Sequence, residues 1–311
     1  MFCMIHCTPQ IDFSLIFLRF RKKKNKDMPR YAQLVMGPAA CGKSTYCSTI
    51  SKHCEVIRRR VQIVNLDPAA DAFDYPVAAD VRDLISVDDV MEDEDLHFGP
   101  NGGLMFAMQY LVDNLDWLDE AIGEDDDDYW IFDCPGQIEL YTHTDIIKRV
   151  INHLKQLGFE MCAVFLLDAQ FLIEPSKFIG GMLAALSAMV NLELPHINVL
   201  SKVDLLNREA KDNIDKFTDP NAVALSHETT LSGEKFKKLN RAVAALLDDY
   251  SLVQFVPLDP TDEDCVALVL LQVDGAMHYG EDQEPREMND DMVMGNDGPP
   301  VDFDLDSGVD S

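Results

Sequence analysis

The chain has 311 residues, 47% hydrophobic and 26% charged, with a formal net charge of −29. It is long enough to bury a full core, long for one α/β domain and short for two. The acidic excess lies largely in runs at 92–95, 124–128 and from Glu281 onward, and it repels phosphate backbones and anionic lipid, which excludes direct nucleic-acid and membrane binding.

Residues 1–27 differ in character from the rest of the chain. An apolar stretch, Ile11–Phe20, is interrupted by Asp12 and Arg19 and is too short to span a bilayer. The basic run Arg21–Lys26 comes after it, where a secretory signal places its charge before. The reading is a non-family leader, a tail or an upstream mis-start, with the domain beginning near Met28. Cys3, His6 and Cys7 lack a fourth partner for a tetrahedral metal set.

The apolar run Ala32–Met36 reads as a strand and leads into Gly37-Pro38-Ala39-Ala40-Cys41-Gly42-Lys43-Ser44, with a helix-compatible segment from Thr45 to Ile50. This is G-x-x-x-x-G-K-[ST] in its required context. Successive backbone N–H groups and a helix N-terminus make a positively polarised nest for phosphate oxygens. Lys43 adds charge at the β/γ-phosphates, Ser44 offers a hydroxyl to Mg²⁺, and Thr45 completes the phosphate-binding set. A nucleoside triphosphate is the expected ligand.

Next comes a strand, Gln62–Asn65, followed by Asp67, a carboxylate at the ligand edge suited to Mg²⁺ or to the attacking water. Asp80-Val81-Arg82-Asp83 lies in a switch-like stretch; for both features, turn and cap roles stand as the alternative. Gly99-Pro100-Asn101-Gly102-Gly103 reads as a rigid exposed turn with Asn101 at its tip, ahead of a helix over Leu104–Leu118.

Strand Tyr129–Asp133 ends in D-x-x-G: Asp133 would bind Mg²⁺, the Gly136 amide would sense the γ-phosphate, and Gln137 stands where a water-orienting glutamine would stand. Helix Thr144–Leu157, strand Cys162–Leu167 and helix Gly180–Val190 come after it. The last is apolar almost all round, a core helix by default and a dimer surface as the sharper option.

Strand Ile197–Leu200 leads to Ser201-Lys202-Val203-Asp204, close to the guanine-reading N-K-x-D. The Lys202 stem suits a purine face, and Asp204 can accept from N1–H and N2–H₂ of guanine, a donor pair adenine lacks. Ser201 replaces the bracing Asn. An ordinary turn with Asp204 as a helix N-cap is the alternative. Helix Phe236–Tyr250, strand Leu252–Val256 and helix Val266–Tyr279 complete the pattern, before an acidic, Pro-containing segment, 280–311, read as disordered.

Strands alternating with helices predict an α/β P-loop NTPase fold: a mostly parallel sheet, helices on both faces, helical insertions. The eight cysteines show no C-x-x-C pair, consistent with a reducing compartment.

Together, G-x-x-x-x-G-K-S-T, N-L-D-P-A, G-P-N-G-G, D-C-P-G-Q-I-E-L and K-x-D, in that order over about 28–279, resemble the GPN-loop GTPases, and one eukaryotic branch of that family above all. The resemblance implies GTP and Mg²⁺ as ligands and a homodimer, or a heterodimer with another GPN-loop GTPase (the family's first paralogue), in which each subunit's Asn101 reaches the other's phosphates. It further implies a part in RNA polymerase II assembly and nuclear import, and a cytoplasmic protein that shuttles to the nucleus. Ala40 stands where that branch has glycine; if the position needs φ > 0, its Cβ is strained. Two other functions compete. A P-loop small-molecule kinase would need an acceptor pocket and a lid of clustered arginines, which the sequence does not display; a nucleotide-dependent scaffold would hydrolyse little.

Overall fold

The computed structural model describes residues 29–93, 97–123, 129–173, 175–211, 214, 245 and 254–280. The expected leader, helix Phe236–Tyr250 and acidic tail lie outside these residues, apart from positions 245 and 280.

In chain order the elements are β1 (Arg30–Met36), α1 (Lys43–Val56), β2 (Val61–Asn65), β3 (Ala79–Asp80), α2 (Val87–Glu92), α3 (Pro100–Asp113), α4 (Asp116–Ile122) and β4 (Tyr129–Asp133). They continue with α5 (Glu139–Thr142), α6 (Ile146–Gln156), β5 (Phe159–Asp168), α7 (Pro175–Leu192), β6 (His196–Ser201), α8 (Arg208–Lys211), β7 (Phe255–Pro257) and α9 (Glu263–Met277). The seven strands form one sheet in the order β3-β2-β4-β1-β5-β6-β7, every pairing parallel. A parallel sheet has helices on both faces, so its inner strands read as unbroken apolar runs. β4 is buried at all five positions, and β1 from Tyr31 to Met36. From β1 the chain passes to β2, β3 and β4 on one side, then to β5, β6 and β7 on the other. The tip of β1 is thus the switch point where an open α/β sheet leaves a crevice for a ligand.

The α/β expectation holds, with local corrections. The expected helix Leu104–Leu118 is two helices, and the first begins four residues earlier. Gly99 is its N-cap and Pro100 its first residue, a position where proline's missing N–H costs nothing, so Asn101 sits in a first helical turn rather than at a loop tip. Its end is set by Asn114, whose side-chain amide donates to the Tyr110 carbonyl at 2.8 Å. Strand Leu252–Val256 is seen from Phe255 to Pro257. In the stretch read as switch-like, Asp80 closes a two-residue strand, β3, and caps the 3-10 turn that follows.

Helix α7 packs as a core element along one face, burying Phe178, Met182, Ala185 and Ala188, while Val190 remains 56% exposed. The described cysteines are free thiols: Cys41, Cys47, Cys54, Cys134, Cys162 and Cys265. A polar chain crosses the interior behind the phosphate loop. The Tyr46 hydroxyl of α1 donates to Gln33 Oε1, the Gln33 amide donates to the Tyr129 hydroxyl, and Tyr129 donates to Asp274 of α9. Arg59 closes the chain with an ion pair to Asp274 at 2.8 Å and lies over the Tyr129 ring. Within this relay the Tyr46 and Tyr129 hydroxyls and the Gln33 amide all have partners, the condition for a polar interior to stabilise a fold.

Candidate nucleotide site

The loop between β1 and α1 turns through backbone shapes that its glycines allow. Gly37 has φ +143°, and a Cβ there would stand 2.3 Å from the Leu166 carbonyl oxygen. Gly42, at φ +91°, is the N-cap of α1. Ala40 has φ 60°, so the strain foreseen from its Cβ is present. A left-handed alanine is disfavoured by about 1–2 kcal/mol. Glycine there would give back about 0.4–1 kcal/mol through its freer unfolded chain. Ala40→Gly should therefore stabilise the protein by a few tenths to about 1 kcal/mol in equilibrium denaturation; a loss of stability would contradict the strain at this position.

Lys43 is 9% exposed and its Nζ rests against the Gly37 and Pro38 carbonyls at 3.5 and 3.4 Å. Those long contacts hold the side chain inside the loop without saturating its three donors. Beside it, Ser44 Oγ donates to Asp133 Oδ2 at 2.9 Å, and the Tyr75 hydroxyl donates to the same oxygen at 2.7 Å. Burial pushes the Asp133 carboxyl above its ordinary range, against those two hydrogen bonds and the charge of Lys43. It likewise pushes Asp67 up, against the Ala69 amide that Asp67 accepts at 3.0 Å. That turn bond is the cap role anticipated as the alternative; Asp67 is nonetheless close enough to Asp133 and Lys43 to feel both charges. The Cys41 thiol, buried in the loop, is pushed up to about 11, an inert thiol.

The D-x-x-G turn closes on the phosphate loop. A Cβ on Gly136 would stand 2.8 Å from Ala39 Cα, so only glycine lets the turn approach this closely. The Tyr141 hydroxyl donates to the Pro135 carbonyl and pins the turn from behind.

On the other flank, the turn at 201–204, expected to read the base, is joined to the phosphate loop by two bonds. Ser201 Oγ donates to the Cys41 carbonyl at 2.6 Å, and Lys202 Nζ donates to the Ala40 carbonyl at 2.6 Å. Serine therefore performs the brace that asparagine was expected to supply. Lys202 also pairs with Asp168 at the tip of β5, at 2.8 Å. Lys202 itself caps the short 3-10 turn Val203–Leu205, so Asp204 is inside the turn and not its N-cap. A cavity of about 230 Å³ lies here, lined by Gly42, Thr45, Tyr46, Lys202, Asp204 and Leu258 among others. A larger, open groove of about 510 Å³, lined by Lys148, Leu183 and Val190, contains none of these motifs.

Buried polar atoms without a hydrogen-bond partner cost free energy and point to missing ligands. Seven such atoms occur among the described residues; four belong to Trp130, His196 and Asn198, within strands, and three to the motifs themselves: Asp133 Oδ1, Gln137 Oε1 and Asp204 Oδ1. All three are acceptors: the first two suit a hydrated cation and a water, the third the N–H edge of guanine. Among the described residues no group of three or more His, Cys, Asp or Glu is arranged around a metal position. Ser44 and Asp133 still fit Mg²⁺, which uses one or two protein oxygens and fills its octahedron with phosphate and water.

The Asn101 side chain is exposed, and it is not among the hydrogen-bond partners of Lys43, Ser44 or Asp133 within the described residues. Sequence reasoning missed Asp168 and Tyr75. The first was legible as a carboxylate ending a strand at the ligand edge; the second carried no signal. Arg82, in the stretch for which turn and switch roles stood as equal alternatives, makes the contacts of a turn residue. It chelates Asp80, which accepts from Asn65 at 2.8 Å and caps the next turn. Burial works to raise the Asp80 carboxyl, but the Arg82 hydrogen bonds outweigh it and hold it low.

A parallel sheet with a glycine loop at its switch point, a lysine in that loop and a carboxylate at the tip of the neighbouring strand define the P-loop nucleoside-triphosphatase fold class. The family described as "Conserved hypothetical ATP binding protein" matches residues 35–279. The chain is 55% identical over 269 residues to GPN-loop GTPase 3 of Xenopus tropicalis, covering 85% of this chain and 94% of that one. It is 49% identical over 270 residues to the protein of the same name in Saccharomyces cerevisiae, covering 85% and 98%. In fold it is similar to an apo GTPase from Pyrococcus abyssi, with a TM-score of 0.66 and 22% identity over 79% of this chain and 97% of that one. The chain belongs to the GPN-loop GTPase family.

Proposed function

We propose that this protein binds GTP with Mg²⁺ across the C-terminal rim of the sheet and hydrolyses it to GDP and phosphate, within a domain spanning about 28–279. The observation that carries the reading is the coincidence of three orphaned acceptors with a lysine-bearing phosphate loop. The loop 37–45 holds the phosphates through Lys43 and through its backbone N–H groups, which every residue but Pro38 carries. Ser44 and Asp133 would hold Mg²⁺, which would supply positive charge against the phosphates. Asp67 and Gln137 order the water that attacks the γ-phosphorus in line with the departing GDP oxygen, and Gly136 presents its amide to the γ-phosphate. Ser201, Lys202 and Asp204 read guanine.

The protein acts as a dimer, with itself or with the first-paralogue GPN-loop GTPase. Asn101 of each protomer reaches the other's phosphates. Support comes from family membership and from the exposure of Asn101 at the start of α3, beside Phe98 at 40% exposed. By the same resemblance the dimer assists assembly and nuclear import of RNA polymerase II, and the protein is cytoplasmic and shuttles to the nucleus. No described helix is long and apolar enough to cross a membrane.

Single-turnover hydrolysis tests the reading. Asn101→Ala should leave GTP affinity intact and slow hydrolysis by roughly 100-fold, the scale for removing one donor to transition-state charge. Normal turnover in that variant would remove the trans loop; no phosphate release from the wild-type dimer would remove the enzyme.

A further inference from the structure

The segment between β2 and β3 is fastened along its length. Arg82, held by Asp80, donates to the Ala70 and Asp71 carbonyls at 2.8 and 2.7 Å, and its guanidinium lies 4.7 Å from the Phe73 ring centroid. Phe73 packs on Tyr75 with centroids 5.2 Å apart, and Ser48 of α1 donates to the Asp74 carbonyl at 3.3 Å. The last fastening is the hydroxyl of Tyr75, itself 7% exposed, on Asp133 Oδ2.

That bond decides which carboxylate oxygen remains open. With Ser44 and Tyr75 both donating to Oδ2, that oxygen has two partners, while the buried Oδ1 has none among the described residues. We propose that Tyr75 is a positioning residue for the metal: by occupying Oδ2 it dedicates Oδ1 of Asp133 to the cation's hydration shell and ties the 69–78 segment to cation binding. The proposal rests on Ser44 and Asp133 being the metal pair. Tyr75 acts through the carboxylate, since its one proton is committed there. Partners of this kind, which orient a ligand without touching the metal, typically govern metal affinity by 10–100-fold.

The test is a Mg²⁺ titration of a fluorescent GDP complex, in the full-length wild type and in Tyr75→Phe, with a parallel measurement in EDTA. Phenylalanine keeps the ring on Phe73 and removes only the donor, and a melting curve confirms the fold. The Mg²⁺ half-saturation should rise roughly tenfold or more while affinity in EDTA stays within about twofold. Limited proteolysis reads the second half of the claim: Mg²⁺ with nucleotide should protect the 69–78 segment in the wild type and less so in the variant. An unchanged half-saturation overturns the proposal, and so does a lowered one, which would mean that Tyr75 competes with the cation. Equal losses with Mg²⁺ and with EDTA would mean a structural role only and would overturn it too. A wild type indifferent to Mg²⁺ would overturn the metal pair itself, and Tyr75 with it.

Discussion

Lys43→Ala should weaken GTP binding by at least about 100-fold while leaving the unliganded protein as stable as before, or more so. Both halves come from the same environment. The ammonium group is almost wholly buried; among the described residues it hydrogen-bonds only two carbonyl oxygens, at 3.4 and 3.5 Å, and meets the Asp133 and Asp67 charges at longer range. A buried cation so thinly partnered contributes little to folding, because its desolvation offsets what it gains. Phosphate oxygens would supply the missing negative charge at short range. Truncating one partner of a buried charge pair costs about 2–5 kcal/mol, and about 1.4 kcal/mol is a factor of ten in affinity. Calorimetric titration with a GTP analogue, alongside thermal melts of the unliganded variant, separates the two effects. Affinity within about threefold of wild type would mean that the phosphates do not lie at Lys43.

The second large effect is expected at the other end of the ligand. Asp204 Oδ1 is buried with no partner among the described residues, at the edge of the 230 Å³ cavity. Guanine offers it two adjacent N–H donors, whereas ATP would leave the carboxylate unpaired. Sites built to hydrogen-bond a ligand reject an analogue lacking the donor by about 10⁴–10⁵. Asp204→Asn replaces one acceptor with an NH₂ donor that faces the N2 amino group of guanine. GTP affinity should fall by roughly 100-fold or more, and binding of xanthosine triphosphate, whose C2 oxygen accepts a hydrogen bond, should improve. Competition assays with GTP, ATP and XTP read this directly. An unchanged preference for GTP over ATP would remove Asp204 from base recognition.

Much of the site was legible because phosphate chemistry is written locally. The loop from Gly37 to Ser44 is contiguous, and its flanks carry the period of a strand and the composition of a helix. The strand Tyr129–Asp133 was placed to the residue because full burial made it a continuous apolar run. What escaped was held by contacts distant in sequence or by elements too short to show a period. β3 has two residues and owes its place to pairing with Val64 and Asn65. Helix α2 is six residues long, yet its capping box, Ser86 with Asp89, was there to be read. Tyr75 looked like any loop tyrosine until the fold set it against Asp133. Ser201 looked like a defect in the guanine motif, and only the bond to the Cys41 carbonyl shows that a hydroxyl reaches where an amide was expected.

The buried relay from Tyr46 to Asp274 extends the set of lesions that can disable this protein. A reading frame cut short ahead of residue 274 would preserve every motif that faces the nucleotide, from Gly37 through Asp204. It would nevertheless remove the Asp274 carboxylate to which Arg59 and Tyr129 are both bonded in the interior. The relay behind the helix that carries the phosphate loop would then lose the carboxylate it ends on, and a genotype intact at the site would present as a folding defect.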